Sequence, residues 1–246
     1  MGVGPGDPQL LTLAAVAAIG AAAVVAYPVA RPGAEGMAAR IAAPWMHPHQ
    51  RRLPLVLPMV AEAEPRVAAW HAAADALAAA VAAGAAVALL CEGDASLFAS
   101  GSYLLLALAA RHPHCSVAVI PGITAVAAAA AAAPAMGGAG LVWPLALQRE
   151  ALLIRPTPDT PEELDALLRQ AAASDTVLAL LKLGGRWAWV RPLLAGRNLL
   201  EHSLVAERVG WPDQLLRPAA AVAAEASGLS YFSLLLIRQG WPAVLP

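Results

Sequence analysis

The chain has 246 residues, which is enough for one large domain or two domains of common size. Its 16 Lys and Arg residues nearly balance 17 Asp and Glu residues, so the charge gives no indication of a nucleic-acid partner. The two cysteines, Cys91 and Cys115, match neither a metal-ligand spacing nor a disulfide framework, which favours a reducing cytoplasm.

A long uncharged stretch lies near the start of the chain. Residues 10–30 carry no charge and are numerous enough to span a bilayer. Alanine and glycine supply much of this stretch, however, and Pro28 interrupts its end, so a helix is favoured more than a membrane span. No cationic segment precedes an apolar core at the N-terminus. We therefore expect neither a membrane span nor a signal peptide.

Short apolar runs alternate along the chain with alanine-rich helical stretches. The runs predict strands at residues 24–27, 87–91, 116–120, 141–144, 176–181 and 233–237. The sequence predicts helices at residues 8–22, 65–83, 102–110, 123–133 and 160–173, the last with Thr160 as its N-cap. This alternation predicts an α/β fold with parallel sheets covered by helices. A Pro-Gly break suggests two domains, residues 1–122 and 123–246.

The first candidate motif is the opening loop, residues 2–8 (GVGPGDP), which directly precedes a predicted helix. Glycines allow the backbone to approach a ligand closely. The N-terminus of a helix offers free N–H groups and the positive end of a dipole. The alternative is that this loop is a bare turn with no ligand.

Two further motifs follow predicted strands, where open α/β sheets bind their ligands. In residues 92–98 (EGDASLF), the Asp94 carboxylate either attracts a cationic ligand or serves its own turn or the next helix. In residues 120–125 (IPGITA), Thr124 either holds a ligand or caps the following helix.

In this order along the chain, the three motifs resemble those of the tetrapyrrole methylase family. Further agreement comes from residues 7–13 (DPQLLTL), 180–182 (LLK) and 206–208 (AER), so the resemblance runs the whole length. Residues 42–59 and the closing segment 231–236 (YFSLLL) are similar to the C20-methylating branch of that family. This branch acts on precorrin-2 or on its cobalt-bearing counterpart.

The resemblance implies two α/β domains of the tetrapyrrole methylase type, with a ligand cleft between them, and a homodimer. It also implies S-adenosylmethionine as the methyl donor. The implied activity is that of a C-methyltransferase of cobalamin biosynthesis, which methylates precorrin-2 at C20. The donor contacts that it implies are Gly93, Asp94, Leu97, Thr124, Ala125 and Leu181. The opening loop faces the tetrapyrrole in the family, so the implied substrate contacts are Gly4, Pro5, Gly6 and Asp7.

Alternatives to this function stay open. In the first alternative, the substrate is the cobalt-containing ring (cobalt-factor II). In the second, the chain is a sibling precorrin methylase that acts at another ring position. A third alternative is a degenerate methylase fold that binds without turnover. Its support is a departure from the family, because the short strand before the opening loop is essentially absent. Loss of that strand predicts unpaired backbone groups on its neighbours.

The segment 31–52 concentrates positive charge, with four of the 16 Lys and Arg residues of the chain. Arginine binds carboxylates bidentately, and precorrin-type tetrapyrroles carry many carboxylates, so Arg51 and Arg52 are further candidates for the substrate site. The alternative is a solvated surface loop.

Two His-x-His pairs, His47 with His49 and His112 with His114, have the spacing of metal ligands, but each contains a proline and lacks a nearby third ligand. We expect no metal site. The sequence shows no nucleophile–base pair, so the catalytic residues stay unknown. The implied reaction is a direct transfer in which the protein supplies alignment and excludes water.

Overall fold

The computed structural model describes residues 1–133, 143–223 and 228–241. Contacts between Cα atoms divide the chain into two compact units, Met1–Thr124 and Ala125–Pro246. Both units combine a β-sheet with helices, so the predicted α/β class is confirmed.

A three-stranded parallel sheet forms the centre of the first unit. Its strands are β1 (Val24–Val29), β2 (Arg51–Val56) and β3 (Val87–Leu89), in the order β2-β1-β3. Its helices are α1 (Leu13–Ala21), α2 (Met37–Ala42), α3 (Ala63–Ala82) and α4 (Ser100–Arg111). Because the strands are parallel, their carboxyl ends share one edge of the sheet, and ligands of α/β folds bind at such edges.

Alternating side chains of β1 pack on opposite faces of this sheet. Val25 joins a buried cluster with Ile19 of α1 and Ile41 of α2. Ala26 joins a second cluster that includes Leu77 of α3. Each large apolar side chain removed from water in this way contributes roughly 1.5–3 kcal/mol, so the two helix layers hold the sheet from both sides.

The second unit contains a five-stranded mixed sheet. Its elements are α5 (Ala125–Ala132), β4 (Ala151–Pro156), α6 (Pro161–Ala173), β5 (Thr176–Leu181), α7 (Trp187–Ala195), β6 (Ser203–Glu207), β7 (Leu215–Pro218) and β8 (Ser233–Ile237). The strand order is β4-β5-β8-β6-β7, and β8 is buried along its whole length. A cluster of buried leucines from α6 and from β5 forms the core on one face, together with Trp187 of α7.

The predicted start of α6 is confirmed. The Thr160 hydroxyl accepts a hydrogen bond from the Glu163 backbone N–H at 3.2 Å, and Pro161 occupies the first turn. The Glu163 carboxylate in turn accepts from the Asp159 backbone N–H at 3.3 Å. These contacts satisfy N–H groups that a helix leaves without partners at its N-terminus.

The prediction of parallel sheets is correct for the first unit and wrong for most of the second. Only β4 and β5 are parallel, whereas the pairs of β8 with β5 and β6, and of β6 with β7, are antiparallel. The chain between β6 and β7 contains no helix, so it reverses direction through a short turn.

Two other predicted strands differ from the structure or lie beyond it. Residues 116–120 form no strand, and among their backbone groups the Ile120 carbonyl accepts from Gly2 N–H at 3.0 Å. Half of the predicted strand at 141–144, residues 141 and 142, lies outside the described residues. The predicted helix at 8–22 divides into a short 3-10 turn, Pro8–Leu10, and α1. Among the helices of the described ranges, none is both long and apolar enough to cross a membrane.

A buried ion pair joins β8 and β4 at one end of the second sheet. Arg238, directly after β8, is 0% exposed and donates to Glu150 Oε1 at 3.0 Å, just before β4. It also donates to the Pro144 carbonyl at 2.6 Å, and its guanidinium carbon lies 5.0 Å from the Trp241 ring centre. A buried charge is costly unless it is paired, so each partner depends on the other.

We expect Arg238→Met to lower the free energy of unfolding by about 3–5 kcal/mol, because the Glu150 carboxylate then stays buried without its cation. The double variant Arg238→Met/Glu150→Gln removes both charges and should recover much of that loss. Arg169→Met is the control, since its pair with Asp165 is largely exposed and is worth less than about 1 kcal/mol. Chemical denaturation of the four proteins measures these differences. Equal midpoints for Arg238→Met and the wild type would show that the buried ion pair of Arg238 with Glu150 does not stabilise the fold.

Candidate functional site

The opening residues Met1–Gly4 pair with the chain that continues from β3. Cys91 N–H donates to the Met1 carbonyl at 2.8 Å, and Val3 N–H donates to the Cys91 carbonyl at 2.9 Å. Gly4 and Gly93 exchange two hydrogen bonds, of 3.1 and 2.8 Å. The prediction that backbone groups next to the opening loop are left unpaired is therefore wrong, because the first four residues satisfy them.

Three of the sequence motifs meet where Gly2, Gly93 and Gly122 approach one another. A Cβ on Gly122 would lie 2.3 Å from the Gly93 carbonyl oxygen and 2.8 Å from Gly2 Cα. A Cβ on Gly2 would lie 2.5 Å from that same oxygen. These neighbours are backbone atoms, so no side chain can turn aside to make room. The opening loop, the Gly-Asp loop and the Pro-Gly loop thus share one contact that requires glycine.

Asp94 joins two of these loops. One carboxylate oxygen accepts from Gly122 N–H at 2.7 Å, and the other accepts from Ser96 N–H at 2.8 Å. Partial burial raises the pKa of this carboxyl, but the hydrogen bonds from Ser96 and Gly122 outweigh burial and hold the pKa below its usual value. The interpretation in which Asp94 organises its own turn is therefore confirmed, and a donor contact is a prediction in addition to it.

The predicted substrate-side residues lie at this same edge. Gly4 and Pro5 are buried, and Gly6 and Asp7 are half-buried. The Asp7 carboxylate accepts from Gln9 N–H at 2.8 Å and so caps the turn before α1. The structure brings this loop against Gly93 through the Gly4 hydrogen bonds, but whether it contacts a substrate stays a prediction.

Space for a ligand is present beside Gly93. Its φ of 68° is in the left-handed region, and no atom lies within 4 Å of the position that a Cβ would take. A ligand can therefore approach the backbone here. Leu97 is half-buried four residues further along, in the loop before α4, and Thr124 follows Gly122 by two residues at the end of the first unit. The open space on this side of Gly93 fits a methyl donor, which would supply an electrophilic methyl group.

The two remaining donor candidates belong to the second unit. Ala125 is the first residue of α5, and Leu181 is the last residue of β5 and is half-buried. Their roles stay predictions.

Aromatic and cationic side chains gather around the end of β5. Lys182 and Arg208, with φ of 58° and 46°, directly follow β5 and β6. Because β8 is antiparallel to both, the residues just before it lie at the same edge: Tyr231 is 49% exposed and Phe232 38%. The Lys182 ammonium lies 5.9 Å from the Tyr231 ring centre.

Glu207 fixes the aromatic segment of the second unit. Its buried carboxylate accepts from Ser230 N–H at 2.9 Å and from the Arg217 guanidinium at 2.7 Å. Arg208 N–H donates to the Phe232 carbonyl at 2.8 Å. Residues 206–208 thus hold the segment before β8 in place through hydrogen bonds to Ser230 and Phe232. Their signal in the sequence is the glutamate at the end of an apolar run.

Arg51 and Arg52 lie at the opposite end of the first sheet from the Gly-Asp loop. Arg51 pairs with Val24, which pairs with Val87, so both arginines are at the amino end of parallel strands. Gly93 is six residues beyond Val87, a separation of roughly 20 Å along an extended chain. Both arginines are exposed, and Arg52 donates to the His47 carbonyl at 3.3 Å. The structure does not bring them to the glycine contact, and a substrate role stays a prediction.

Glu92 is a residue that the sequence analysis did not select. It lies between Cys91 and Gly93, and burial raises the pKa of its carboxyl to about 7, with only partial opposition from the Arg40 guanidinium. A carboxyl that titrates near neutral pH at the carboxyl edge of a sheet is a common property of functional sites. Its only sequence signal is its position directly before Gly93.

The histidine pairs do not assemble into a metal centre in the part of the chain that the structure describes. No three side chains of His, Cys, Asp or Glu in these ranges are placed to hold a metal ion. His47 and His49 stack on each other at 5.5 Å, and His112 instead contacts the Asp75 carboxylate at 2.7 Å.

Comparison with known proteins gives a match over most of the chain. The family model described as Tetrapyrrole (Corrin/Porphyrin) Methylases matches residues 1–223. The chain is 33% identical to a precorrin-2 C(20)-methyltransferase from a Sinorhizobium species, covering 98% of this chain and 94% of the relative. It is 30% identical to the cobalt-precorrin-2 C(20)-methyltransferase of Salmonella typhimurium, covering 98% and 95%.

Another relative is much longer than this chain. The cobalamin biosynthesis protein CobIJ of Mycobacterium bovis is 34% identical over 98% of this chain, which spans only 45% of that protein. Among solved structures, a uroporphyrin-III C-methyl transferase of Thermus thermophilus complexed with S-adenyl homocysteine has a TM-score of 0.60 at 26% identity, covering 97% of this chain and 95% of that one. A cobalt precorrin-4 methyltransferase, CbiF, has a TM-score of 0.65 at 21% identity, covering 97% and 92%, which concerns the fold alone.

The glycine contact predicts a sharp difference between two Gly→Ala variants. Gly122→Ala places a Cβ against backbone atoms and should destabilise the protein by about 1–3 kcal/mol, as overpacking does. Gly20→Ala, on the exposed side of α1 with no atom closer than 4.0 Å, should instead stabilise by about 0.5–1 kcal/mol. Thermal melting of both variants measures this, and a neutral Gly122→Ala would show that the three loops separate without cost.

The raised pKa of Glu92 predicts a pH dependence of stability. A carboxyl whose pKa moves from 4.5 to about 7 on folding contributes stability that is fully present below about pH 4.5 and is lost as the pH rises through 7. The loss is on the order of 3 kcal/mol at most. Glu92→Gln cannot ionise, so its melting temperature should gain on that of the wild type between pH 5 and pH 8. If the melting temperatures of the two proteins change with pH in the same way across this range, Glu92 is solvated and its pKa is not raised.

Proposed function

The chain belongs to the tetrapyrrole (corrin/porphyrin) methylase family, and we propose that it transfers a methyl group from S-adenosylmethionine to C20 of precorrin-2 in cobalamin biosynthesis. The family makes it a methyltransferase, and the ring and the carbon are the finer part of the proposal. The observation that carries it is the similarity over 98% of the chain to two C(20)-methyltransferases, of which the chain covers at least 94%.

The geometry of the first unit supports a donor site at the Gly-Asp loop. The open side of Gly93 admits a ligand to the backbone, and the Asp94 carboxylate keeps that loop in place through Gly122 and Ser96. The ionised Asp94 carboxylate, directly after Gly93 in the chain, also suits a donor that carries positive charge. We place the donor there, beside the opening loop that would face the tetrapyrrole.

The protein has a limited task in such a transfer. The sulfonium group of the donor makes its methyl carbon electrophilic, so no protein nucleophile is required. Alignment of the two reactants within van der Waals distance supplies much of the rate, and the rigid glycine contact provides a fixed frame for it. The similarity to the family also supports a homodimer, which light scattering of the purified protein would test.

The decisive assay incubates the purified chain anaerobically with precorrin-2 and a donor whose methyl group carries 13C. The expected product has one added methyl group, and its NMR signal identifies C20. Transfer only to the cobalt-containing ring would favour the first alternative, and transfer to another carbon would favour a sibling methylase. Donor binding without any transfer would support a non-catalytic binding protein, and absence of both would contradict the proposal.

Asp94→Ala should weaken donor binding by about 1.5–3 kcal/mol, roughly 10- to 100-fold in Kd, because the loop loses its hydrogen bonds to Gly122 and Ser96. Asp75→Ala is the matched control, because this aspartate on α3 is also held by two partners, here the Arg111 and His112 side chains. Isothermal calorimetry with S-adenosylhomocysteine measures both. Equal Kd values for Asp94→Ala and the wild type would remove Asp94 from the donor site.

A further inference from the structure

One carboxyl group at the edge of the first sheet has no assigned task. Glu92 is half-buried, and the only side chain acting on its charge among the described residues is Arg40 of α2. The other two carboxylates of the same edge are already engaged. Asp94 accepts from Gly122 and Ser96, and Asp7 accepts from Gln9. Glu92 is therefore the carboxylate that can accept a proton without breaking a structural hydrogen bond.

The alternation of the extended chain fixes the face on which Glu92 lies. Leu90 packs in the cluster with Val3 and Ile41, which is the face covered by α1 and α2. Cys91 packs with Ala95 on the opposite face. Side chains of an extended segment alternate, so Glu92 returns to the face of Leu90, which agrees with the influence of Arg40 on it.

This position is between the two loops that the proposed reaction uses. Gly93, the next residue, has the open side that would admit the methyl donor. Gly93 also exchanges hydrogen bonds with Gly4 of the opening loop, where the tetrapyrrole is proposed to bind. A group attached one residue from Gly93 can therefore reach a ring carbon that is close to the transferred methyl group.

We propose that the Glu92 carboxylate contacts the tetrapyrrole and accepts the proton that the methylated ring carbon releases; this rests on the proposed function. The ring carbon forms a bond to the methyl group while the bond from methyl carbon to sulfur breaks, and its electron pair leaves a neutral thioether. The carbon then holds both hydrogen and methyl. Its C–H bond breaks, the electron pair returns to the conjugated ring, and the proton passes to Glu92 and later to solvent.

The surrounding charges agree with this role. Burial raises the pKa of Glu92, and the Arg40 guanidinium on α2 partly offsets this rise. Arg40 is itself paired with Glu35 at 3.8 Å. On the neighbouring opening segment and loop, the Met1 ammonium and Asp94 act on each other and on Cys91. A carboxyl with a pKa of about 7 is about half ionised at neutral pH, and its ionised form is basic enough to take a proton. Deprotonation by Glu92 should thus make kcat rise with pH up to about 7 and then level.

The test compares kcat and KM of the wild type, Glu92→Gln, Arg40→Gln and the control Glu64→Gln, an exposed glutamate of α3, from pH 5.5 to 9 with precorrin-2 and S-adenosylmethionine. Glu92→Gln should lose about 100-fold or more in kcat and lose the pH limb near 7, while its calorimetric Kd for S-adenosylhomocysteine stays within threefold. Arg40→Gln should move that limb to higher pH and keep the plateau rate. Glu64→Gln should match the wild type.

The possible results separate the two proposals. A wild type that turns over precorrin-2, with Glu92→Gln within threefold of its kcat and with the same limb, overturns the role of Glu92 and leaves the proposed function standing. A wild type that methylates neither precorrin-2 nor the cobalt-containing ring overturns both. If Glu92→Gln does not fold, an unmoved limb in Arg40→Gln overturns the proton acceptor, and a limb moved to higher pH supports it.

Discussion

The first unit depends on one contact, in which the backbones at Gly2 and Gly122 lie so close to each other and to the Gly93 carbonyl oxygen that neither glycine can carry a Cβ. These residues come from three segments that are distant in sequence, and backbone hydrogen bonds from Gly2 to Ile120 and between Gly4 and Gly93 hold them there. Because the contact is made by backbone atoms, it positions the loops without occupying their side chains. The relative positions of the three loops therefore follow from how closely their backbones approach.

The few charges at this edge divide into structural and free ones. Both carboxylate oxygens of Asp94 accept hydrogen bonds, from Gly122 and Ser96. Burial raises the pKa of this carboxyl, but these hydrogen bonds outweigh burial and lower the pKa below its usual value. Glu92, two residues away, is half-buried and has no such bond to the described residues, and burial raises its pKa to about 7. The same short loop thus holds one carboxylate that fixes geometry and one that can exchange a proton near neutral pH. Environment rather than residue type separates the two roles.

The sequence predicts best where a segment is buried on both faces or must be glycine. Strands β5 and β8 have the bounds that their continuous apolar runs predict, since buried strands need no alternation. Strand β2 was missed because it contains two arginines and Pro54, which an edge strand tolerates. Strand 116–120 was predicted from its valines, yet those side chains are exposed. The pattern of apolar residues does not show whether an adjacent strand with free N–H and C=O groups is available for pairing.

The candidate site follows the same division. The three glycine motifs stand out in the sequence because only glycine meets their backbone requirement, and the structure joins them. The sequence gives no sign of the role of Glu92, since its raised pKa comes from burial in the folded chain, with partial opposition from Arg40. A methyl transfer from a sulfonium needs no nucleophile from the protein, so alignment and the released proton are what remain for the chain to manage. The glycine contact would provide the alignment, and Glu92, the residue directly before Gly93, is the group that we propose for the proton.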